Sequence, residues 1–242
     1  MMKRFIDISG SLLGLVGASP FLLVVIFLVW KEDGKSPFYI APRTGRGGKT
    51  FRMIKLRSMV IGADTSGVDS TSGSDMRITS IGHKIRSYKL DEIMQLWNVL
   101  IGDMSLVGPR PNVKNETDIY TEVEKYLLFV SPGITDFSSI VFSDEGDILK
   151  GKEDADLSYN QLIRPWKSRL GLIYIENQST WLDLRLIFYT AVAIISKPVA
   201  LTWLVSQLKK MNVDPDVINI SKRDQELYPF PPPGMDKVVV SR

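Results

Sequence analysis

The stretch KLDEIMQLWNVLIGDMSLVGPRP, residues 89–111, joins a periodic apolar segment to a glycine and then to an arginine between two prolines. Its apolar residues recur at the spacing of one helical face, which predicts a helix over residues 90–101 that ends at Gly102. The apolar positions are Leu90, Ile93, Met94, Trp97, Leu100 and Ile101. Residues 108–111, GPRP, predict a rigid turn that fixes the backbone of Arg110.

Two adjacent carboxylates, Asp91 and Glu92, fall in the first turn of this predicted helix. The helix dipole stabilises negative charge there by about 0.3–1 kcal/mol at exposed sites, which favours ionised carboxylates. Adjacent helical residues point about 100° apart, so the two side chains can hold different chemical roles. The pattern fits ordinary N-terminal helix charges as well as a catalytic pair. Position alone leaves both interpretations open.

The N-terminal segment is long enough to enter a membrane. Residues 8–30 contain no charge over 23 positions, which corresponds to about 35 Å of helix against a hydrocarbon core of about 30 Å. Ser19 and Pro20 lie in its middle, where proline removes a backbone donor and Ser19 can bond the carbonyl this frees. We expect a re-entrant helix broken at this pair. A kinked full span and a cleaved signal peptide are the alternatives.

Positive charges flank both ends of this apolar segment. Lys3 and Arg4 precede it, and Lys31 and Lys35 follow it. A simple span favours positive charge on one side, so we expect both ends to face the cytoplasm.

Basic residues are concentrated after the segment, although the net charge is only +3. Such a patch attracts phosphates or anionic lipid headgroups, and a solvated charged face is the alternative. The patch consists of Arg43, Arg46, Lys49, Arg52, Lys55 and Arg57. The sequence has no cysteine and a single histidine, which excludes disulfides, thiolate metal sites and sites with two imidazoles.

The rest of the chain predicts an α+β fold, mostly helical with one small β-hairpin. Strands over residues 38–40 and 50–55 enclose a glycine-rich turn, whose GGKT motif lacks the earlier glycine that a phosphate-binding loop requires. Loops are predicted over residues 61–75 and 145–156. Helices are predicted over residues 116–129, 159–175 and 181–208, and residues 77–88 predict a helix or a strand, turn and helix.

The last of these helices is amphipathic and too interrupted to span a membrane. Its aromatic residues, Trp181, Tyr189 and Trp203, are typical anchors at a membrane interface, and Pro198 predicts a break. Residues 228–233 predict an extended polyproline segment.

Taken together, these motifs resemble the bacterial sugar transferases known as monotopic phosphoglycosyl transferases. The resemblance runs from Lys3 to about Lys197, and the absence of a preceding four-helix membrane module in this sequence makes it similar to the small form of the family. The motifs that carry it are KRFID at residues 3–7, Ser19 with Pro20, FRMIKLRSM at 51–59, RIT at 77–79, LDE at 90–92, DMSLVGPRP at 103–111, PGIT at 132–135 and WLDL at 181–184.

The resemblance implies a reaction and the partners it needs. A sugar phosphate would move from a UDP-sugar to polyprenol (undecaprenyl) phosphate, with release of UMP, as the first membrane step of bacterial glycan assembly. It implies no nucleic acid partner, a location on the cytoplasmic face of the bacterial inner membrane, and leaves a homo-oligomer open. By this reading residues 1–33 form the re-entrant membrane helix, 34–210 the catalytic domain and 211–242 a C-terminal extension.

The resemblance also implies site residues. Asp91 would attack the phosphate next to the sugar, with Glu92 as its supporting carboxylate, and both would hold Mg2+, which neutralises charge on the diphosphate. Cationic side chains would bind the substrate phosphates, with Arg110 suited to a bidentate clamp. The phosphate-binding candidates are Arg110, Lys55, Arg57, Arg77 and Arg86.

Two alternatives to this reading remain, one from departures from the family's residue pattern and one from the reaction mechanism. Met94 stands where the family usually has proline, and Asp136 stands where it has glycine, so a non-catalytic membrane-anchored scaffold of the same fold is the second hypothesis. Direct displacement without a covalent intermediate is the mechanistic alternative.

Overall fold

The computed structural model describes residues 2–63 and 75–241, and it is a mixed helical and sheet structure, as predicted. Residues 64–74, most of the predicted 61–75 loop, lie outside the described residues. The helices are α1 (Met2–Asp33), α2 (Ser80–Ser87), α3 (Gln95–Ile101), α4 (Lys114–Asp118), α5 (Phe137–Val141), α6 (Glu145–Ile148), α7 (Ala155–Leu162), α8 (Arg164–Glu176), α9 (Thr180–Ile195), α10 (Lys197–Lys210) and α11 (Pro215–Lys222). The strands are β1 (Phe38–Thr44), β2 (Thr50–Leu56), β3 (Ser105–Val107) and β4 (Gly133–Thr135).

Helix α1 continues through Pro20, where the sequence predicted a break. Pro20 has no N–H for the Val16 carbonyl, four residues earlier. The Ser19 hydroxyl donates to that carbonyl at 2.7 Å. Because the freed carbonyl has a partner, the helix is not interrupted at this pair. Among the described residues, α1 is the one helix long and apolar enough to cross a membrane by length and composition.

Both ends of α1 are fastened to the same globular body. Near its start, Lys3 Nζ donates to Asp183 Oδ2 at 2.8 Å and to the Val107 carbonyl at 2.9 Å. At its end, the Arg57 guanidinium forms two bonds to the Asp33 carboxylate, at 2.6 and 2.7 Å. The helix therefore lies along the globular domain over its whole length.

Small residues let the middle of α1 pack closely. A Cβ at Gly10 would lie 2.7 Å from Leu106 Cδ1, and a Cβ at Gly14 would lie 2.8 Å from Leu96 Cδ1. The second half of the helix is buried on one side against β2 and α2. The buried apolar residues of this contact are Leu22, Val25, Val29, Leu56 and Ile85.

The four strands form two separate pairs. β1 and β2 are antiparallel, with Phe38 opposite Leu56 and Thr44 opposite Thr50, so the predicted hairpin is confirmed. β3 and β4 are parallel, with Ser105 beside Gly133. The sequence did not predict this pair, because strands of three residues are too short to show a period of two.

Proline divides two of the predicted long helices. The helix predicted over 159–175 is α7 and α8, which meet at Ile163 with Pro165 in the first turn of α8. The helix predicted over 181–208 is α9 and α10, and its break at Ser196 precedes Pro198, as predicted.

Two other regions differ from their predictions. The helix predicted over 116–129 is the short α4 followed by a 3-10 helix, Glu124–Phe129. The predicted loop over 145–156 contains α6 and the start of α7.

The main core lies between α5, α8, α9 and α10, below the parallel strand pair. Its largest fully buried side chains include Trp166, Tyr174, Phe137, Leu170, Leu186 and Leu204.

The outer side of α9 and α10 exposes aromatic and apolar side chains. Phe188 stacks on Trp203 with ring centroids 5.6 Å apart, and Trp181 and Ile195 are 63% and 88% exposed. Such a surface is typical of helices at a membrane interface.

The C-terminal segment after α11 has neither helix nor strand over residues 228–233 and packs on α8. Phe230 stacks on Trp166 at 4.3 Å, and Arg169 lies over the Phe230 ring at 4.8 Å.

Candidate active site

Asp91 and Glu92 lie in a 3-10 turn, Leu90–Glu92, immediately before α3. The predicted helix therefore begins five residues late, at Gln95, although Ile93 and Met94 keep right-handed helical backbone angles. Lys89, which precedes the turn, has a left-handed backbone conformation with φ 55°. The chain therefore changes direction sharply just before Leu90. Gly102 ends α3 with φ 101°, as predicted.

The Asp91 side chain is buried yet lightly held. It is 11% exposed, and its nearest cation is Lys55 Nζ, 3.6 Å from Oδ2. Within the part of the chain that the structure describes, the Asp91 carboxylate accepts no hydrogen bond. A carboxylate with free lone pairs beside an ammonium group is suited to attack a phosphorus atom or to bind a metal ion.

Glu92, in contrast, is held by Arg110. Arg110 donates to Glu92 Oε1 at 2.5 Å, so the structure brings the predicted carboxylate and the predicted phosphate clamp together. Burial alone raises the pKa of Glu92, but attraction to Arg110 and Lys55 outweighs it and lowers the pKa to about 2. The same attraction raises the pKa of Arg110. Glu92 is thus an anion in the folded protein, and its charge is already paired.

The turn that carries Arg110 is fixed by the parallel strands. The Gly108 N–H donates to the Thr135 carbonyl at 2.9 Å, and the Gly133 N–H donates to the Pro109 carbonyl at 2.9 Å. A Cβ at Gly133 would lie 2.1 Å from Gly108 N. Only glycine permits this approach, which places Arg110 directly after β3 and beside the acidic turn.

Lys55 reaches the site from β2. Its burial lowers the pKa of the ammonium group, attraction to Asp91 opposes this, and repulsion by Arg110 adds to it. Two cations therefore converge on two carboxylates. Lys55 Nζ lies 3.6 Å from Asp91 and donates no hydrogen bond within the described residues, so its N–H groups are available to an incoming phosphate.

A second ion pair borders Arg110, and it was not predicted from the sequence. Lys167 Nζ donates to Glu145 Oε2 at 2.6 Å. Burial raises the pKa of Glu145, but Lys167 and Arg110 outweigh burial and lower it. Glu145 and Lys167 lie in helices far along the chain, so only tertiary packing brings them here. Lys167 and Arg110 line one cavity together with Asn112, Tyr120, Asp136, Ser138 and Tyr159.

Two of the other predicted phosphate ligands are engaged in structural contacts. Arg57 binds Asp33 and the Ser36 carbonyl, and its side chain is 7% exposed. It fastens the end of α1 to the domain. Arg77 binds the Asp75 carboxylate through Nε and a terminal nitrogen.

Arg86 lies half-buried in α2, and its side chain forms no hydrogen bond or ion pair within the described residues. Phosphate binding by all three arginines stays a prediction.

The two positions that depart from the family pattern have local structural roles. Asp136 is buried and caps α5, where its carboxylate accepts from Ser139 N at 2.7 Å and from Ser138 Oγ at 2.8 Å. Met94 precedes the first residue of α3 in helical conformation. Neither replaces a group of the acidic turn.

Comparison with known protein sequences indicates the family of this chain. Residues 1–197 match the profile of the family described as bacterial sugar transferase. The UDP-galactose-lipid carrier transferase of Erwinia amylovora is 33% identical over 211 residues, which cover 81% of this chain and 41% of that protein.

Two further relatives carry different sugars in their names. The UDP-N-acetylgalactosamine-undecaprenyl-phosphate N-acetylgalactosaminephosphotransferase of Aeromonas hydrophila is 30% identical, over 81% of this chain and 44% of its own length. The UDP-glucose:undecaprenyl-phosphate glucose-1-phosphate transferase of Klebsiella pneumoniae is 36% identical, over 78% and 39%. The chain thus spans about two fifths of the length of these relatives.

The match over residues 1–197 includes α1, the acidic turn and the Arg110 turn. The chain therefore belongs to the bacterial sugar transferase family.

Proposed function

We propose that this chain transfers a sugar phosphate from a UDP-sugar to polyprenol phosphate and releases UMP. The observation that carries the proposal is the asymmetry of the acidic pair. Asp91 accepts no hydrogen bond within the described ranges and lies 3.6 Å from Lys55, whereas Glu92 is paired with Arg110. One carboxylate is free to react, and the other holds a guanidinium beside it. The names of the relatives supply the donor and acceptor classes.

The first step forms a bond between an Asp91 carboxylate oxygen and the phosphorus next to the sugar. The bond from that phosphorus to the bridging oxygen of the diphosphate breaks, and UMP departs with that oxygen and the electron pair. Lys55 and Arg110 neutralise charge on the diphosphate as it develops. Glu92 keeps Arg110 directed into the site.

The second step regenerates the carboxylate. A phosphate oxygen of polyprenol phosphate attacks the phosphorus of the aspartyl phosphosugar, and the bond between that phosphorus and Asp91 breaks. The product is a polyprenol diphosphate sugar. Two displacements at one phosphorus replace a single one between two anionic substrates, which is the advantage of a covalent nucleophile.

A magnesium ion fits the donor set in part. Within residues 2–63 and 75–241, no group of three or more His, Cys, Asp or Glu side chains is placed to hold a metal. Mg2+ commonly takes one or two carboxylates and completes its shell with substrate phosphates and water. The Asp91 carboxylate suits this, because it accepts no hydrogen bond in those ranges. Asp91 would hold the ion, and Glu92 would contribute if Arg110 moved to phosphate. Bound there, Mg2+ would offset charge on the diphosphate.

The membrane arrangement we propose is re-entrant, with α1 bent rather than broken at Pro20 and both of its ends on the cytoplasmic face of the bacterial inner membrane. The contacts of Lys3 with Asp183 and of Arg57 with Asp33 support it, because one globular body binds both ends of the helix. The exposed aromatic surface of α9 and α10 would rest at the same interface.

The direct test is a screen of several UDP-sugars with the purified protein, Mg2+ and polyprenol phosphate, with UMP as the readout. At least one sugar should release UMP, and intact mass should detect a phosphosugar on the protein that is absent from Asp91→Asn. UMP release without any adduct in rapid-quench samples would favour direct displacement. No UMP from any sugar would favour the non-catalytic scaffold.

Topology has its own test. A cysteine introduced at position 2 of this cysteine-free chain should not react with an impermeant maleimide in intact cells and should react after lysis. Labelling from outside would contradict the re-entrant arrangement.

A further inference from the structure

Gln95, the first residue of α3, carries a buried polar group without a partner among residues 2–63 and 75–241. The residue is 1% exposed, and its Nε2 atom is buried with no hydrogen-bond partner in those ranges. A buried amide donor without an acceptor destabilises the folded state. Such groups are rare in native proteins, and each requires an explanation.

The position of Gln95 relative to Asp91 offers one. Residues 91–95 keep right-handed helical backbone angles from the 3-10 turn into α3. Asp91, Gln95 and Asn98 are buried, at 8%, 1% and 0% exposed, whereas the residues between them are partly or fully exposed. Gln95 therefore lies after Asp91 on the side of this segment that is turned into the protein.

Asn98, three residues further on the same face, shows what a structural amide looks like here. Its Oδ1 accepts from the Ile54 N–H at 2.9 Å, and its Nδ2 donates to the Arg52 carbonyl at 2.8 Å. Both ends are bonded to β2, the strand that also carries Lys55. Gln95 lies between Asn98 and Asp91 along this face, so it faces β2 at the level of Lys55.

Two buried side chains in this segment thus lack hydrogen-bond partners. In the described part of the chain, the Asp91 carboxylate accepts no hydrogen bond and the Gln95 amide donates none. In the structure the Asp91 carboxylate is drawn toward Lys55. When Lys55 turns to the substrate diphosphate, the Asp91 carboxylate loses that attraction and can turn toward the amide.

We propose that Gln95 is a positioning residue whose side-chain amide donates to one oxygen of the Asp91 carboxylate and so presents the other oxygen to the phosphorus. This inference rests on the proposed function. It assigns to the unsatisfied amide a task that exists only during the reaction, which accounts for its lack of a partner in the resting fold.

The test compares Gln95→Met with Asn98→Leu. Methionine keeps the length and volume of glutamine but has no donor. With a UDP-sugar and no polyprenol phosphate, each chain should release one UMP in a burst. For Gln95→Met we expect the burst amplitude to stay near one per chain, the burst rate to fall about 10- to 100-fold, and the KM for UDP-sugar to stay within about threefold. The Tm should equal or exceed that of the unmodified protein, because a buried unsatisfied group has been removed.

Asn98→Leu should show the opposite pattern, with a lower Tm and a lower burst amplitude, because two bonds to β2 are lost. An unchanged burst rate in Gln95→Met would overturn the proposal. So would a fall in Tm and amplitude like that of Asn98→Leu, since it would make Gln95 a structural residue. If the unmodified protein shows no burst while its Tm is normal, the proposed covalent function itself fails, and that result is separate from either outcome for Gln95.

Discussion

Two buried acidic sites in this protein are built in opposite ways. Glu124, at the start of the 3-10 helix, is fully buried, and its carboxylate accepts four hydrogen bonds. The donors are Arg164 Nε at 3.0 Å, an Arg164 terminal nitrogen at 2.5 Å, Ser168 Oγ at 2.7 Å and Thr121 N at 3.0 Å. Asp91 is nearly as buried, yet within the described residues it accepts none, and Lys55 lies 3.6 Å away.

The difference separates a structural carboxylate from a reactive one. At Glu124 the protein supplies all the donors, so a ligand would have to displace them. At Asp91 the cation is close but not bonded, so the carboxylate stays available. Saturation of the hydrogen-bonding groups, rather than burial or charge, distinguishes the two sites.

The strongest test of this contrast is Asp91→Asn. We expect UMP release to fall at least about a thousandfold, because the nucleophile is removed while the shape is kept. The Tm should fall less than in Glu124→Gln, since only the 3.6 Å ion pair with Lys55 is lost and no hydrogen bond within the described residues depends on the carboxylate. The same substitution at the exposed Asp118 serves as the control and should keep full activity. Retention of UMP release by Asp91→Asn would assign the chemistry elsewhere.

Glu124→Gln should reverse this pattern. Removal of one partner from a buried ion pair destabilises a protein by about 3–5 kcal/mol, and Arg164 is 3% exposed beside Glu124. We expect the free energy of unfolding in denaturant to fall by that amount, while UMP release below the unfolding temperature stays within about threefold. If stability is unchanged and activity is lost, Glu124 is part of the reactive site. That result would contradict the distinction between a structural Glu124 and a reactive Asp91.

Acid should affect Glu92 in a calculable direction. Its pKa in the folded protein is lowered from 4.5 to about 2, so its pair with Arg110 stabilises the fold above pH 4.5 and is lost as the pH falls toward 2. We expect the free energy of unfolding to differ between the unmodified protein and Glu92→Gln by roughly 3 kcal/mol at most at pH 7.

That difference should shrink between pH 4.5 and pH 2 in denaturant titrations. A gap that is constant over this range would mean that the Glu92 charge is not stabilised by its surroundings.

Arg110→Lys should give the smallest of these effects. Lysine keeps the charge but loses the planar fork that matches phosphate oxygens. We expect kcat/KM for UDP-sugar to fall about 10- to 100-fold, with the acidic pair intact. Lys114→Arg, at an exposed ion pair in α4, is the matched control. An equal loss in the control would show that the assay responds to surface charge.

Much of the fold followed from local patterns. We could predict the apolar helix, the hairpin and the break before Pro198, because each depends on a few consecutive residues. The start of α3 was wrong by five residues, because a 3-10 turn and an α-helix share the same apolar spacing over one turn. The break predicted at Pro20 was also wrong, since Ser19 bonds the freed carbonyl.

Four of the predicted site residues, Asp91, Glu92, Arg110 and Lys55, lie together, with Lys55 3.6 Å from Asp91. Asp91, Glu92 and Arg110 occur in one motif, and the structure brings the last two into contact. Glu145 and Lys167 were missed, because nothing in a sequence links two isolated charges that meet through packing. Arg57 shows the converse: it lies in the basic patch, yet its guanidinium is occupied by Asp33.

The fastening of α1 also has a consequence for how the chain is made. Lys3 pairs with Asp183, 180 residues further along the chain. At about 5–20 residues per second, the ribosome needs roughly 10 to 40 s to supply that partner. Throughout this interval the apolar helix has no complete docking surface, so a lipid bilayer or a chaperone must cover it during synthesis, and the globular domain that binds both of its ends is completed later.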